Sequence, residues 1–214
     1  MGCCNYSIYA LEATTGEKLW EFQTEGAVQS SPAVSDGRVF VGSADGKVYA
    51  LDALTGKELW EFQTGGVVGS SPAVSGNQLF VGSADHNLYA LEATTGNKLW
   101  EFETGDAVNS SPAVFAGRVF VGSSDDKVYA LDASTGEKLW EFQTGGMVTS
   151  SPAVSGDLVF VGSCDGNVYA LEATTGNKLW EFETGDMVTT SPVISGNLVF
   201  VGSFGGILYA FGSP

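Results

Sequence analysis

The stretch VGSSPAVSGNQLFVGSADHNLYALEATTGNKLWEFET at residues 68–104 decides the fold, because near-copies of it return every 40 residues along the chain. The period is clearest in the tryptophans, which stand at Trp20, Trp60, Trp100, Trp140 and Trp180. Five near-copies within 214 residues indicate a repeat architecture, in which each unit is one supersecondary element that needs its neighbours for stability.

Each unit divides into four short runs that are rich in Val, Phe, Tyr and Trp and are separated by turn residues. In the quoted copy the runs are 68–75, 78–83, 87–93 and 98–104. They predict antiparallel strands joined by tight turns such as Ser-Gly-Asn and Thr-Thr-Gly, and no window has a helical period. Four antiparallel strands per unit are typical of a propeller blade, so we expect an all-β fold whose blades stack around an axis.

A motif precedes each tryptophan. The pattern A-x-D-x-x-T-G-x-x-x-W spans residues 50–60 and returns in all five copies, of which three have Glu (Glu12, Glu92, Glu172) in place of Asp. It resembles the tryptophan-docking motif of the pyrroloquinoline quinone (PQQ) repeat propellers, and the resemblance covers nearly the whole chain. It implies that each tryptophan lies against its own alanine and against the Thr-Gly peptide of the neighbouring blade. An indole in such a place buries on the order of 150–250 Å² and needs a partner for its N–H.

The strand count predicts how the repeats close. There are five first strands, five second strands, six third strands and five fourth strands, because the Tyr-Ala-Leu of residues 9–11 returns a sixth time as Tyr-Ala-Phe at 209–211. We predict one domain, 1–214, that forms a closed five-bladed β-propeller of four-stranded antiparallel blades, its last blade completed by the N-terminal hairpin. In the favoured pairing 188–211 joins the strand around Trp20 and 6–13 is an extra outer strand. In the alternative 6–13 enters the blade and displaces 206–211.

Composition agrees with one compact domain. Hydrophobic residues make up 43% of the chain, which excludes disorder, and no apolar run approaches the roughly 20 residues of a membrane span. We expect a monomer without a membrane span. No signal peptide is recognised, and the resemblance suggests a periplasmic or cell-surface location.

The net charge of −16 argues against a nucleic-acid partner, which would require clustered Lys and Arg. Because the strands are antiparallel, the turns between first and second strands and between third and fourth strands lie on one face, and the other connections lie on the opposite face. This opposite face is strongly acidic. We interpret this face as a surface for a cation or a protein partner, with the alternative that aspartate merely suits tight turns. Its candidate residues are Glu25, Asp45, Asp85, Asp106, Asp125, Asp126, Asp165 and Asp186, together with Gln29 and Asn109 at the entry to first strands.

No catalytic, cofactor-binding or metal-ligating residue is predicted. The single histidine, His86, stands in a turn where other copies have Gly, and one histidine cannot make the usual His/Cys metal site. The recurrent serines have no histidine base beside them in every copy. Adjacent cysteines occur beside the quinone in some PQQ dehydrogenases, but Cys3 and Cys4 stand at the chain terminus; a lipoprotein attachment site and a tag-like end are the other interpretations.

Two classes of function follow, with a third possibility. The preferred interpretation is a non-catalytic binding or assembly scaffold, similar in repeat type to the lipoprotein propeller of the outer-membrane barrel assembly machinery. The rival is a fragment or relative of a PQQ-dependent dehydrogenase, an enzyme class with a larger ring, a Ca²⁺ site and inserted loops. The third is a design or evolution subject with no physiological ligand, since alternate copies share residues over an 80-residue super-period that indicates recent duplication or engineering.

Overall fold

The structure is a computed structural model that describes residues 2–3 and 6–212, with side chains from residue 6 onward. Within this part of the chain 22 strands form six antiparallel sheets, and no helix is long and apolar enough to cross a membrane. The predictions about the side chains of Cys3 and Cys4 lie outside the described residues.

The sheets follow one another in chain order. The first contains β1 (Gly2–Cys3), β2 (Ser7–Leu11) and β3 (Lys18–Gln23), and the sixth contains β20 (Val193–Ser195), β21 (Leu198–Gly202) and β22 (Leu208–Gly212). The second contains β4 (Ala33–Ser35), β5 (Arg38–Gly42), β6 (Lys47–Asp52) and β7 (Glu58–Gln63), and the third β8 (Ala73–Ser75), β9 (Gln78–Gly82), β10 (Asn87–Glu92) and β11 (Lys98–Glu103). The fourth contains β12 (Ala113–Phe115), β13 (Arg118–Gly122), β14 (Lys127–Asp132) and β15 (Lys138–Gln143), and the fifth β16 (Ala153–Ser155), β17 (Leu158–Gly162), β18 (Asn167–Glu172) and β19 (Lys178–Glu183).

The predicted first strand is longer than the observed one. We predicted a strand over 68–75, whereas β8 covers only Ala73–Ser75. Pro72 has no N–H to donate to a ladder. The N–H of Val68 donates instead to the carbonyl of Ser43, in the turn that follows β5 of the preceding sheet, at 3.0 Å. These residues therefore connect two sheets rather than extend one.

The core lies between successive sheets, within each of two compact units, residues 1–103 and 104–214. In the first unit Phe40 and Val48 of the second sheet pack with Leu79, Val81 and Leu91 of the third, and all are buried. Each such side chain contributes about 1.5–3 kcal/mol when it leaves water. The second unit repeats the pattern with Phe120, Val128, Val159, Val161 and Leu171.

The prediction of an all-β fold built from repeated four-stranded antiparallel sheets is confirmed. The number of blades and their closure into a ring are not, since the described residues form six sheets, of which the first and the sixth have three strands each. The five-bladed ring therefore stays a prediction.

Candidate functional site

The turn between the second and third strands holds an aspartate whose carboxylate is tied into the protein. At Asp85, Oδ1 accepts the amide N–H of Asn87 at 3.0 Å and Oδ2 accepts the hydroxyl of Tyr89 at 2.8 Å. The amide of Gly65, in the connection that enters this sheet, donates to Oδ2 at 2.6 Å. The carboxylate therefore fixes its own turn and fastens a second connection to it through charge-assisted hydrogen bonds.

This Asp–Tyr lock recurs in each of the four-stranded sheets. Its other members are Asp45 with Tyr49 at 2.9 Å and the Glu25 amide at 3.0 Å, Asp125 with Tyr129 at 2.6 Å and the Gly105 amide at 2.7 Å, and Asp165 with Tyr169 and the Gly145 amide, both at 2.7 Å. The sixth sheet departs from the pattern, because Gly205 replaces the aspartate and the hydroxyl of Tyr209 donates to the carbonyl of Thr184 at 2.9 Å.

In the lock of Asp85 and Tyr89 the pKa of both partners is shifted. Burial is the largest influence on the pKa of Asp85 and pushes it upward, but the hydrogen bonds it accepts, led by that of Tyr89, outweigh burial and hold the pKa below its usual range. The same balance lowers the pKa of Asp165. Burial, followed by the hydrogen bond to Asp85, raises the pKa of Tyr89 well above its usual range. At neutral pH the carboxylate accepts and the phenol donates.

Three of the predicted acidic residues present their side chains to solvent instead. Glu25, Asp106 and Asp186 lie on connections from a fourth strand to the next first strand, and all three are exposed. The Glu25 carboxylate lies 3.9 Å from the Nζ of Lys47, with its side chain 79% exposed. Oδ1 of Asp186 accepts the amide N–H of Met187 at 2.8 Å.

The structure brings some predicted residues together within each unit. In the first unit Glu25 lies beside Asp45 through its amide. In the second unit Asp165 and Asp186 line a shallow cavity of about 270 Å³, together with Glu183. Asp126 occupies the left-handed position of its turn, at φ 69°, and its carbonyl accepts the hydroxyl of Thr144 at 2.7 Å.

The variable positions Gln29 and Asn109 are exposed at the entries to their first strands. Serine side chains connect the neighbouring entries. The amide of Ser31 donates to Oγ of Ser71 at 2.8 Å in the first unit. In the second unit the corresponding bonds are Ser111 to Ser151 at 2.9 Å and Ser151 to Ser191 at 3.0 Å.

Three of the tryptophans, Trp20, Trp60 and Trp140, donate a hydrogen bond to the sheet that follows their own. Nε1 of Trp60 donates to the carbonyl of Ala93 at 3.1 Å, and a Cβ placed on Gly96 would lie 2.7 Å from the indole. Trp20 makes the same contacts with Ala53 and Gly56, and Trp140 with Ala173 and Gly176, both with a 3.0 Å hydrogen bond. The rings of Trp100 and Trp180 pack on Phe80 and Phe160, with centroids 5.7 and 5.9 Å apart.

His86 is exposed and stands at the left-handed φ of 76° in its turn. No group of three or more His, Cys, Asp or Glu side chains among the described residues could hold a metal ion. The Asp–Tyr lock was not predicted from the sequence. Its signal in the sequence is the spacing Asp-x-x-x-Tyr, which four copies keep. In the sixth sheet Gly205 stands four residues before Tyr209, so the aspartate of the motif is lost.

Known proteins share this architecture. The sequence model of the family described as outer membrane protein assembly factor BamB matches residues 5–111 and 88–212. The crystal structure of BamB from Moraxella catarrhalis is similar with a TM-score of 0.85 and 22% identity, and the match covers 99% of this chain but only 65% of that one. The computationally designed Ika8 protein has a TM-score of 0.90 and 22% identity over 99% of this chain and 67% of its own. No curated protein sequence matches. At this identity the two structures show the fold alone, a β-propeller.

Proposed function

Because the chain belongs to the family of the outer membrane protein assembly factor BamB, we propose that it is a non-catalytic β-propeller scaffold that binds a partner protein. The family's description supports an assembly role and a periplasmic or cell-surface location. The likeness to the designed Ika8 protein supports a role of this fold as a scaffold. The chain spans about two thirds of the length of these relatives, 65% and 67%.

We place a binding surface on the acidic connections of each unit. The observation that carries this is the Asp–Tyr lock, which fixes the backbone of the connections on which Glu25 and Asp106 keep exposed carboxylates. Asp186 adds an exposed carboxylate on a connection that has no such lock. A surface whose backbone is already ordered loses little conformational entropy on binding. Its negative charge selects a basic partner segment and steers its approach, and a multivalent cation is the other partner that this charge favours.

A lysine-rich peptide tests the proposal. The variant Glu25→Gln/Asp106→Asn/Asp186→Asn removes three exposed charges and keeps the side-chain oxygens that accept local hydrogen bonds. At about 0.5 kcal/mol for each exposed charge, the loss of about 1.5 kcal/mol raises Kd about tenfold. Titration calorimetry measures this, and raising the ionic strength past about 0.15 M should weaken the wild-type complex.

The matched control is Glu17→Gln/Glu58→Gln/Glu137→Gln. It removes the same net charge from exposed residues at or just before the start of fourth strands, at the other set of connections. We expect its Kd to stay within about twofold of the wild type, since these charges lie away from the proposed surface. Equal Kd values for the two variants would mean that the acidic connections only solubilise the protein.

The rival function, a relative of the PQQ-dependent dehydrogenases, is favoured by the repeat motif alone. We propose that the chain is not an enzyme and retains no quinone. Incubation with PQQ and Ca²⁺, followed by gel filtration, should leave no quinone absorbance with the protein. Stoichiometric retention would support the rival. The near-identity of the copies favours the third interpretation, a design or evolution subject. This interpretation predicts that the two triple variants bind the peptide with the same Kd.

A further inference from the structure

The chain contains three Asp-Gly dipeptides, at 36–37, 45–46 and 165–166. In such a dipeptide the backbone amide of the glycine can attack the side-chain carboxyl of the aspartate, because glycine has no Cβ to obstruct the approach. The product is a five-membered succinimide, and its hydrolysis gives aspartate or isoaspartate. The three sites share the residues that react, so a difference between them in the folded protein is set by their surroundings.

The Asp–Tyr lock holds two of the three aspartates. The carboxylate of Asp45 accepts the hydroxyl of Tyr49 and two backbone amides, at 2.9–3.0 Å. The carboxylate of Asp165 accepts the hydroxyl of Tyr169 at 2.7 Å and two backbone amides at 2.7 and 2.9 Å. Charge-assisted hydrogen bonds of this kind hold a carboxylate in one position. The carboxyl group can therefore turn toward the following amide only after the lock opens.

The attacking amides at these two sites are also engaged. The N–H of Gly46 donates to the carbonyl of Ser43 at 3.1 Å, and the N–H of Gly166 donates to the carbonyl of Ser163 at 3.2 Å. An amide that donates a hydrogen bond within its own turn must give up that bond before its nitrogen can attack. Both reacting groups are thus restrained at 45–46 and at 165–166.

The dipeptide at 36–37 has neither restraint. It forms the two-residue turn between β4 and β5, both of its residues are exposed, and both have a left-handed φ, 48° and 71°. Within the described part of the chain the Asp36 carboxylate accepts one hydrogen bond, from the hydroxyl of Ser35 at 3.3 Å. Among the same residues the N–H of Gly37 has no acceptor. Water readily replaces a single long hydrogen bond at the surface, so both reacting groups are free to meet.

We propose that Asp36 is the site of spontaneous isoaspartate formation in the folded protein, and that the Asp–Tyr locks protect the Asp-Gly bonds at 45–46 and 165–166. The amide nitrogen of Gly37 bonds to Cγ of Asp36, and its proton goes to the hydroxyl that leaves as water. A water molecule then adds to one of the two ring carbonyls. Addition at the side-chain carbonyl restores aspartate. Addition at the main-chain carbonyl breaks the bond from that carbonyl to the nitrogen, and the chain then runs through the side chain.

The three sites lie on different connections. The turn at 36–37 joins a first strand to a second strand, whereas Asp45 and Asp165 lie in turns between second and third strands, where their locks hold the acidic connections. Isoaspartate adds one carbon to the backbone and would distort such a turn. The lowered pKa of Asp165 adds to its protection, because the neutral acid is the form that loses water. Ageing therefore changes a turn that carries no lock and spares the locked ones.

Ageing the protein in a mildly acidic buffer at physiological temperature, followed by peptide mapping, tests the proposal. Trypsin places the three dipeptides in different peptides, 19–38, 39–47 and 139–178, and electron-transfer fragmentation distinguishes isoaspartate from aspartate. We expect at least about tenfold more isoaspartate in peptide 19–38 than in either of the others, because opening a lock breaks hydrogen bonds to a charged group. In denaturing urea the three peptides should accumulate it at similar rates.

Two variants separate the lock from the turn. Tyr49→Phe removes one hydrogen bond from Asp45 and should raise isoaspartate in peptide 39–47 about tenfold. Peptide 139–178 should stay unchanged in this variant, since global unfolding would raise both. Asp36→Gly installs the residue found at 76, 156 and 196, so it keeps the turn, and it should abolish isoaspartate in peptide 19–38.

Three results would overturn the proposal. The first is equal accumulation at Asp36 and Asp45 in the folded protein, or none at Asp36 while the unfolded chain forms it. The second is a preference for Asp36 that persists in urea, because the cause would then be the flanking sequence. The third is an unchanged rate at Asp45 in Tyr49→Phe, because the lock would then give no protection.

Discussion

Replacing Gly96 with alanine tests the tryptophan contact, because Gly16 offers the same turn without a tryptophan on it. Both glycines follow Thr-Thr, both have left-handed φ values, 74° and 73°, and both donate their N–H to a glutamate carbonyl at 2.8 Å. A Cβ on Gly96 would lie 2.7 Å from the indole of Trp60, whereas a Cβ on Gly16 would meet nothing within 4 Å. The pair separates the conformational cost of the substitution from its steric cost.

The magnitudes differ accordingly. Alanine in the left-handed region costs about 1 kcal/mol at either site. At Gly96 the added carbon must also displace Trp60, which is 9% exposed and donates to Ala93 at 3.1 Å. Overpacking costs about 1–3 kcal/mol and a strained hydrogen bond about 1 kcal/mol more. We expect a loss of about 3–5 kcal/mol for Gly96→Ala and about 1 kcal/mol for Gly16→Ala.

Urea unfolding followed by circular dichroism measures both losses, provided that the m-values agree between variants. Thermal unfolding should show a difference of roughly 4–16 °C between the two variants, at about 2–4 °C per kcal/mol. Equal small losses would refute the docking argument, since Trp60 would then not depend on Gly96. Equal large losses would show that Gly16 is also covered in solution, and Gly16→Ala would then not serve as the control.

The remaining predictions concern the locked turns. His86→Gly removes a non-glycine residue from φ 76° and should raise the free energy of unfolding by about 0.5 kcal/mol, measured by urea unfolding, because relief of strain exceeds the added freedom of the unfolded chain. The lowered pKa of Asp85 and Asp165 contributes stability that is fully present above about pH 4 and is lost as pH falls through the folded pKa values. The free energy of unfolding, measured from about pH 6 to 2, should therefore decline in this range. The decline should be less steep in Asp85→Asn. The raised pKa of Tyr89 contributes stability that is present below about pH 10 and lost above it; Tyr89→Phe should reduce this alkaline loss in the same assay, and an unchanged alkaline profile would contradict the role of the lock.

Much of the fold could be predicted because every 40-residue unit repeats the same pattern of apolar and turn residues. The alternation of Tyr89 and Leu91 on one face and Leu88 and Ala90 on the other predicts a strand buried on both sides, and β10 is buried on both sides. The extent of β8 could not be read in the same way. Val68 looks like strand sequence, but its N–H donates to Ser43 in another sheet. Hydrophobic pattern reports burial and does not report which backbone group is the partner.

The candidate site was predictable in part. Charge and alternation identified the acidic connections, and the structure divides their residues into aspartates held by tyrosines and acids that remain exposed. Asp85 and Asp106 cannot be distinguished by charge. They differ because only Asp85 has a tyrosine four residues later in the same strand and a glycine amide within reach from the preceding connection. Such a contact depends on how neighbouring sheets stack, which a single sequence does not state.

The tryptophan contact has a consequence for how chain length can change. Each observed hydrogen bond joins an indole to a carbonyl 33 residues later, from Trp20 to Ala53, from Trp60 to Ala93 and from Trp140 to Ala173. The contact therefore belongs to the 40-residue period and not to a particular pair of sheets. Recombination between two near-identical copies would delete or insert whole units while every remaining junction kept its tryptophan, its alanine and its glycine. The number of units can thus change in one genetic step that creates no new kind of interface.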